Sequence, residues 1–142
     1  MDHDGHACVQ PHKEHVEAAF ADITQSLQRH RFKEALQQIM AVSQYGNQIL
    51  QAAAPWKHLN GAQDGHEESI ATLAFCWRIS RFLAITTQPF MPTSAQQLWE
   101  NLAQPAEVSL SPWDEAINWD SPLTWLEAVS YTHLTLPTIL LV

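Results

Sequence analysis

A chain of 142 residues, 46% of them hydrophobic, can pack one ordinary core and is too short for an enzyme of several modules. Seven Lys and Arg against fifteen Asp and Glu leave a net charge of −8, which excludes coating of nucleic acid through bulk positive charge. No apolar run reaches the roughly 18–20 residues of a membrane span. Cys8 and Cys76 form no metal or redox motif, so both are expected as reduced thiols in the cytoplasm.

Residues 1–11, MDHDGHACVQP, are polar and end in proline, and read as a loose leader. Val16, Phe20, Ile23 and Leu27 then recur at helical steps, predicting a first helix from about His12 to Arg29. A second is predicted from Phe32 to Ala54, with Leu36, Ile39, Met40, Ile49 and Leu50 inward and Gly46 as a weak point. It stops at Pro55, which cannot continue the amide ladder, so Trp56 stands where the chain turns. In the following loop Asp64 and Glu67 have capping spacing. The third helix, Glu67 to Thr87, is apolar on nearly every side and is expected at the middle of a bundle. Pro89 and Pro92 break it, and Ser94 with Gln97 predicts a capped helix to about Leu102. Beyond Pro105 the chain is tryptophan-rich and punctuated by proline, and no segment alternates as a strand would. The expected fold is an all-α helical bundle. From Val129 to Thr138 the residues match one reading frame of a transposase adaptor used for shotgun libraries, so 129–142 is expected to be a non-biological tail.

Two stretches carry a resemblance. YGNQILQAAAPWKHL presents Asn47 and then Pro55-Trp56 closing a helix, and RISRFLAITTQPFMPTSAQQLWENL presents Arg78, Arg81, the Pro89-Phe90-Met91-Pro92 break and Trp99. Together they resemble the anticodon-binding domain of methionyl-tRNA synthetase, a class I aminoacyl-tRNA synthetase, over roughly residues 14 to 120; Trp113 and Ala116 fit more loosely. The resemblance implies that Trp56 stacks on an unpaired anticodon base, with Asn47, Lys57, Arg78 and Arg81 as further RNA-binding candidates and Pro55 aiming the ring. Single-stranded loops are read by stacking splayed bases on flat side chains, which needs little bulk charge. An acidic domain can therefore still bind RNA.

The implied partner is a methionine-accepting tRNA, met at its anticodon loop, with no DNA and no membrane. The parent would be a methionine–tRNA ligase using ATP and Mg. This chain shows neither His-Ile-Gly-His nor Lys-Met-Ser-Lys-Ser, so no catalytic residue and no cofactor are assigned to it, and it is expected to be inactive alone. The Gly-Asn-Phe-type motif of a preceding helix is also absent. Residues 12–128 therefore read as a domain incomplete at its N-terminus, belonging with a missing catalytic domain of the same polypeptide.

Simpler readings stand beside these. Arg78 and Arg81 could equally pair with a carboxylate or cap a carbonyl inside the bundle. Arg29, Arg31 and Lys33, at the junction of the first two helices, and Lys57 could meet RNA phosphates, with a solvated loop as the simpler reading. His12 and His15 lie three apart but lack a second spaced pair, so no metal site is assigned. Trp77 and Trp99 fall on inward stripes. One rival function is a helical protein-interaction module using Trp56 and the tryptophans at 113, 119 and 125; another is the equivalent domain of a different class I synthetase.

Overall fold

The computed structural model describes residues 9–53 and 66–120, and these form the expected all-α bundle. Helices α1 (Gln10–Gln28) and α2 (Phe32–Ala53) are joined by three residues, a connection short enough to turn the second back along the first. Near the turn Ser26 Oγ donates to Gln38 Oε1 at 2.9 Å, and at the other end His12 Nδ1 lies 2.6 Å from the Tyr45 hydroxyl. Helix α3 (His66–Thr87) runs parallel to α1, with Phe75 5.9 Å from His12 and Phe82 edge-on to Phe20 at 6.1 Å. Helix α4 (Pro92–Asn101) packs on α3. Two 3₁₀ turns, η1 (Val108–Leu110) and η2 (Trp113–Ile117), then return across α3, and η2 also reaches α1.

Every residue of α3 from Ala71 to Thr87 is buried except the half-buried Leu73. Its stretch Ile70–Thr87 is long and apolar enough to cross a membrane by length and composition, yet 89% of it is covered inside the bundle. Three buried hydroxyls on this helix donate to its own backbone. Ser80 Oγ donates to the Cys76 carbonyl at 3.1 Å, Thr86 Oγ1 to Phe82 at 2.9 Å and Thr87 Oγ1 to Leu83 at 2.6 Å. Burial pushes the Cys76 thiol up to about 12, so it stays protonated and behaves as a small apolar side chain.

Several expectations shift in detail. The leader is shorter than read: α1 starts at Gln10, with Pro11 in its first turn and Val9 buried. Proline's fixed φ suits that position, and its missing N–H would have had no partner there. Met40 is 37% exposed, because the inward stripe of α2 runs through Ala35, Ile39, Val42, Gly46 and Ile49 and leaves Met40 off to one side. The Ser94–Gln97 capping box does not form. Met91 occupies the N-cap without a side-chain hydrogen bond, and Pro92 begins the helix three residues earlier than a Ser94 cap would. Asp64 lies outside the described residues.

Two helix ends had no glycine to announce them. After α1, the Arg31 N–H reaches the Ser26 carbonyl at 2.8 Å and the His30 N–H reaches Leu27 at 3.1 Å, with His30 at φ 59°. After α4, Gln104 reaches Trp99 at 3.2 Å and Ala103 reaches Glu100 at 2.9 Å, with Ala103 at φ 56°. Both are the paired back-bonds that satisfy terminal carbonyls, here with His and Ala in the left-handed position usually filled by glycine.

Gly46 lets α2 approach α3 closely. A Cβ there would lie 3.2 Å from Ile79 Cγ2, and Ile79 is fully buried. Alanine would gain about 1 kcal/mol of helix propensity, but crowding a packed core costs about 1–3 kcal/mol. Gly46→Ala is therefore expected to destabilise the chain by about 1 kcal/mol in urea unfolding. A stabilised variant would show that Ile79 moves aside freely.

Candidate nucleic-acid interface

The start of α1, the end of α2 and the start of α3 meet at one end of the bundle, and from this end the chain leaves α2 toward Pro55-Trp56. Pro55, Trp56 and Lys57 lie outside the described residues. Of the proposed RNA-binding set, α2 carries Asn47, six residues before Ala53. Asn47 is half-buried, and its Oδ1 is buried with no hydrogen-bond partner. An unmatched buried carbonyl oxygen is costly, of the order of 1–3 kcal/mol, and calls for a donor.

Tyr45, two residues earlier, is a feature the sequence reading passed over. Its ring is stacked 3.9 Å from His15, and its hydroxyl meets His12. Burial raises the Tyr45 phenol above its ordinary value, and burial followed by the nearby His15 lowers His12. The two histidines that looked like half a metal site instead hold a tyrosine between them. No spacing within α2 signals this contact, because both histidines come from α1.

Arg78 and Arg81 belong to α3 and are 3% and 6% exposed. Asn47 and Arg78 each sit next to the Gly46–Ile79 approach and so share a level of the bundle. Arg78 lies over the Trp77 ring at 5.5 Å. Arg81 is a turn farther from the Pro55-Trp56 end, and its fork is engaged: Nε donates to Gln104 Oε1 at 3.1 Å, Nη2 to Glu115 Oε2 at 2.9 Å, and Nη1 to the Glu115 carbonyl. The guanidinium also lies 5.4 Å from the Trp99 ring. Burial draws Arg81 below its ordinary value while Glu115 pulls it back up, and a guanidinium stays charged at any accessible pH. Of the two readings open for Arg81, the structure has the carboxylate pair inside the bundle.

That pair anchors a clasp. Trp113 Nε1 donates to Thr24 Oγ1 at 2.8 Å while its ring stacks on Phe20 at 5.5 Å. Trp119 Nε1 donates to Glu17 Oε1 at 2.6 Å, with its ring 5.7 Å from Phe75. Both indoles thus join the C-terminal segment to α1 and α3. The protein-interaction reading called on Trp113 and Trp119, which are half-buried with their indole N–H groups bonded within the chain; Trp125 lies outside the described residues. Trp77 and Trp99 are core as expected, at 1% and 2% exposure. Trp99 Nε1 reaches the Pro105 carbonyl at 3.1 Å.

Helix order, the buried α3 with its two arginines, and the proline-bounded restart into α4 define the class as an all-α helical bundle. A family model described as the anticodon binding domain of methionyl tRNA ligase matches residues 7–135, and the chain belongs to that family. Among curated relatives, the methionine–tRNA ligase of Methanopyrus kandleri is 34% identical over 95 residues, covering 67% of this chain and 14% of the relative. That of Methanocorpusculum labreanum is 31% identical over 102 residues, 72% of this chain and 15% of the relative. The cytoplasmic methionine–tRNA ligase of Homo sapiens is 29% identical over 91 residues, 64% of this chain and 10% of the relative. The chain thus spans about a seventh or less of the length of these relatives. No solved structure matches it.

Proposed function

We propose that this chain binds the anticodon loop of a methionine-accepting tRNA, as part of a cytoplasmic methionine–tRNA ligase whose ATP- and Mg-dependent chemistry lies in another domain. Trp56 is the stacking platform, aimed by Pro55, with Lys57 beside it and Asn47 supplying an acceptor at the same end of the bundle. The observation that carries this reading is the family match over residues 7–135, which includes the Asn47 and Pro55-Trp56 motif. The placement of Asn47 near the end of α2, with an unmatched Oδ1, supports it. Arg78 fits the set by its level in the bundle, whereas Arg81 serves it indirectly by fixing the clasp.

The test is titration of the chain with anticodon hairpins. A hairpin with a CAU loop should bind more tightly than one with a scrambled loop, and the preference should persist as salt rises, because stacking depends on salt less than phosphate contacts do. Equal binding of the two loops at every salt concentration would reject the reading.

A further inference from the structure

The positive charge of this acidic chain is distributed unevenly. Of the six Lys and Arg among the described residues, Lys13, Arg78 and Arg81 are buried, and Arg29, Arg31 and Lys33 are exposed. The exposed three fall within five consecutive positions at the turn between α1 and α2. Between them His30 and Phe32 stand edge to face at 6.0 Å, and Phe32 is 53% exposed. His30, Arg31, Phe32 and Lys33 border an open depression of about 730 Å³, completed by Glu34 and Gln37, with Arg29 adjoining in sequence.

The turn is an ordered platform. The His30 and Arg31 back-bonds fix its course, so the cations are presented from a defined backbone. Glu34, the acid lining the depression, meets Arg31 at 3.5 Å in a pair whose side chains are 60% and 49% exposed. Such a pair contributes little in water and leaves most of the guanidinium donors for a ligand. A basic patch with an aromatic ring, on a chain of net charge −8, is complementary to a polyanion. The turn also lies at the far end of α2 from Ala53, two residues before Pro55-Trp56 in sequence. Twenty-two residues at ~1.5 Å each place the two ends about 33 Å apart, comparable with one turn of a duplex.

We propose that the α1–α2 turn is a second tRNA contact, in which Arg29, Arg31 and Lys33 bind phosphodiester groups of the tRNA body while Trp56 holds the anticodon. The proposal rests on the tRNA-binding reading above. A tRNA docked by its loop alone would pivot; a phosphate contact a helix length away fixes its direction without adding sequence preference.

The experiment compares a full methionine tRNA transcript with its isolated anticodon hairpin, across salt concentrations, for the unaltered chain, the triple variant Arg29→Gln/Arg31→Gln/Lys33→Gln, and Trp56→Ala. In the triple variant, affinity for the full tRNA should fall at least about tenfold at low salt. The slope of log affinity against log salt should flatten by about 2–3, from ~0.7–0.9 per phosphate contact. Hairpin affinity should change less than about threefold. Lys33→Gln alone should flatten the tRNA slope by about 0.7–0.9, a check that survives if the triple variant folds poorly. An unchanged slope overturns the proposal and assigns the patch to an acidic protein surface; equal losses on both RNAs overturn its placement away from the anticodon. Trp56→Ala separates the two claims. If it changes neither RNA while the triple variant still loses tRNA, the stacking role fails and the phosphate contact stands.

Discussion

Phe82→Ala is expected to lower the unfolding free energy of the chain by about 3–5 kcal/mol. Phe82 is fully buried in α3 and meets Phe20 of α1 edge-on at 6.1 Å. Truncation removes the ring's transfer free energy and leaves a cavity. α3 is packed against α2, α4 and the 3₁₀ turns, and α1 adds the Phe20 ring, so the walls have little room to close. Against a total stability of about 5–15 kcal/mol, that loss would leave a substantial unfolded fraction. Urea unfolding followed by far-ultraviolet circular dichroism measures it. Leu110→Ala, at a residue 72% exposed, serves as the control and should stay within about 0.5 kcal/mol. A loss at Phe82 below about 1 kcal/mol would contradict the central position of α3.

The second large effect is expected at the clasp. Arg81→Ala removes the donors to Gln104 Oε1, the Glu115 carbonyl and Glu115 Oε2, and strips a cation from the face of Trp99. Breaking a fully buried pair costs about 3–5 kcal/mol. Because the Glu115 side chain is 35% exposed, water can recover part of this, and about 2–3 kcal/mol is expected. Arg81→Lys should restore only part of the loss, since an ammonium cannot span three acceptors as a fork does.

The same pair predicts an acid response. The Asn118 amide, and after it Arg81, hold Glu115 below its ordinary value of 4.5. A carboxylate depressed in the folded state adds stability that is complete above the unfolded value. That stability is lost as pH falls through the lower folded value. Urea midpoints should therefore drop below about pH 4.5, and less steeply in Arg81→Ala, where Asn118 remains as donor. Identical acid slopes in the two proteins would mean that Arg81 does not hold Glu115 ionised.

What the sequence revealed follows from which features are local. The stripe Val16, Phe20, Ile23 of α1, the all-round apolarity of α3 and the proline break before α4 are periodicities or single-residue constraints, readable without a third dimension. The ends of α1 and α4 were legible to within a residue, but the way they close was not, because His30 and Ala103 take the left-handed turn that glycine usually advertises. The capping box at Ser94 failed because Pro92 already fits a first helical turn. The roles of Trp113, Trp119 and Arg81 depend on partners far away in the chain. Trp113 reaches Thr24 across 89 residues and Trp119 reaches Glu17 across 102, and no pattern within a helix encodes such a return. Asn47 and Pro55-Trp56 were legible as a motif, whereas the cationic turn, open in the sequence between RNA phosphates and a solvated loop, became distinctive only when the other described cations proved buried.

The central claim is that the Trp56 indole, fixed by Pro55, presents a face to an anticodon base. The measurement that tests it most directly is the affinity of a CAU anticodon hairpin for Trp56→Ala against the unaltered chain, with Trp56→Phe as the variant that keeps a ring. A stack contributes about 1–3 kcal/mol, so Trp56→Ala should weaken binding about 5- to 150-fold, with Trp56→Phe recovering part of the loss. Affinities for Trp56→Ala within threefold of the unaltered chain would contradict the account.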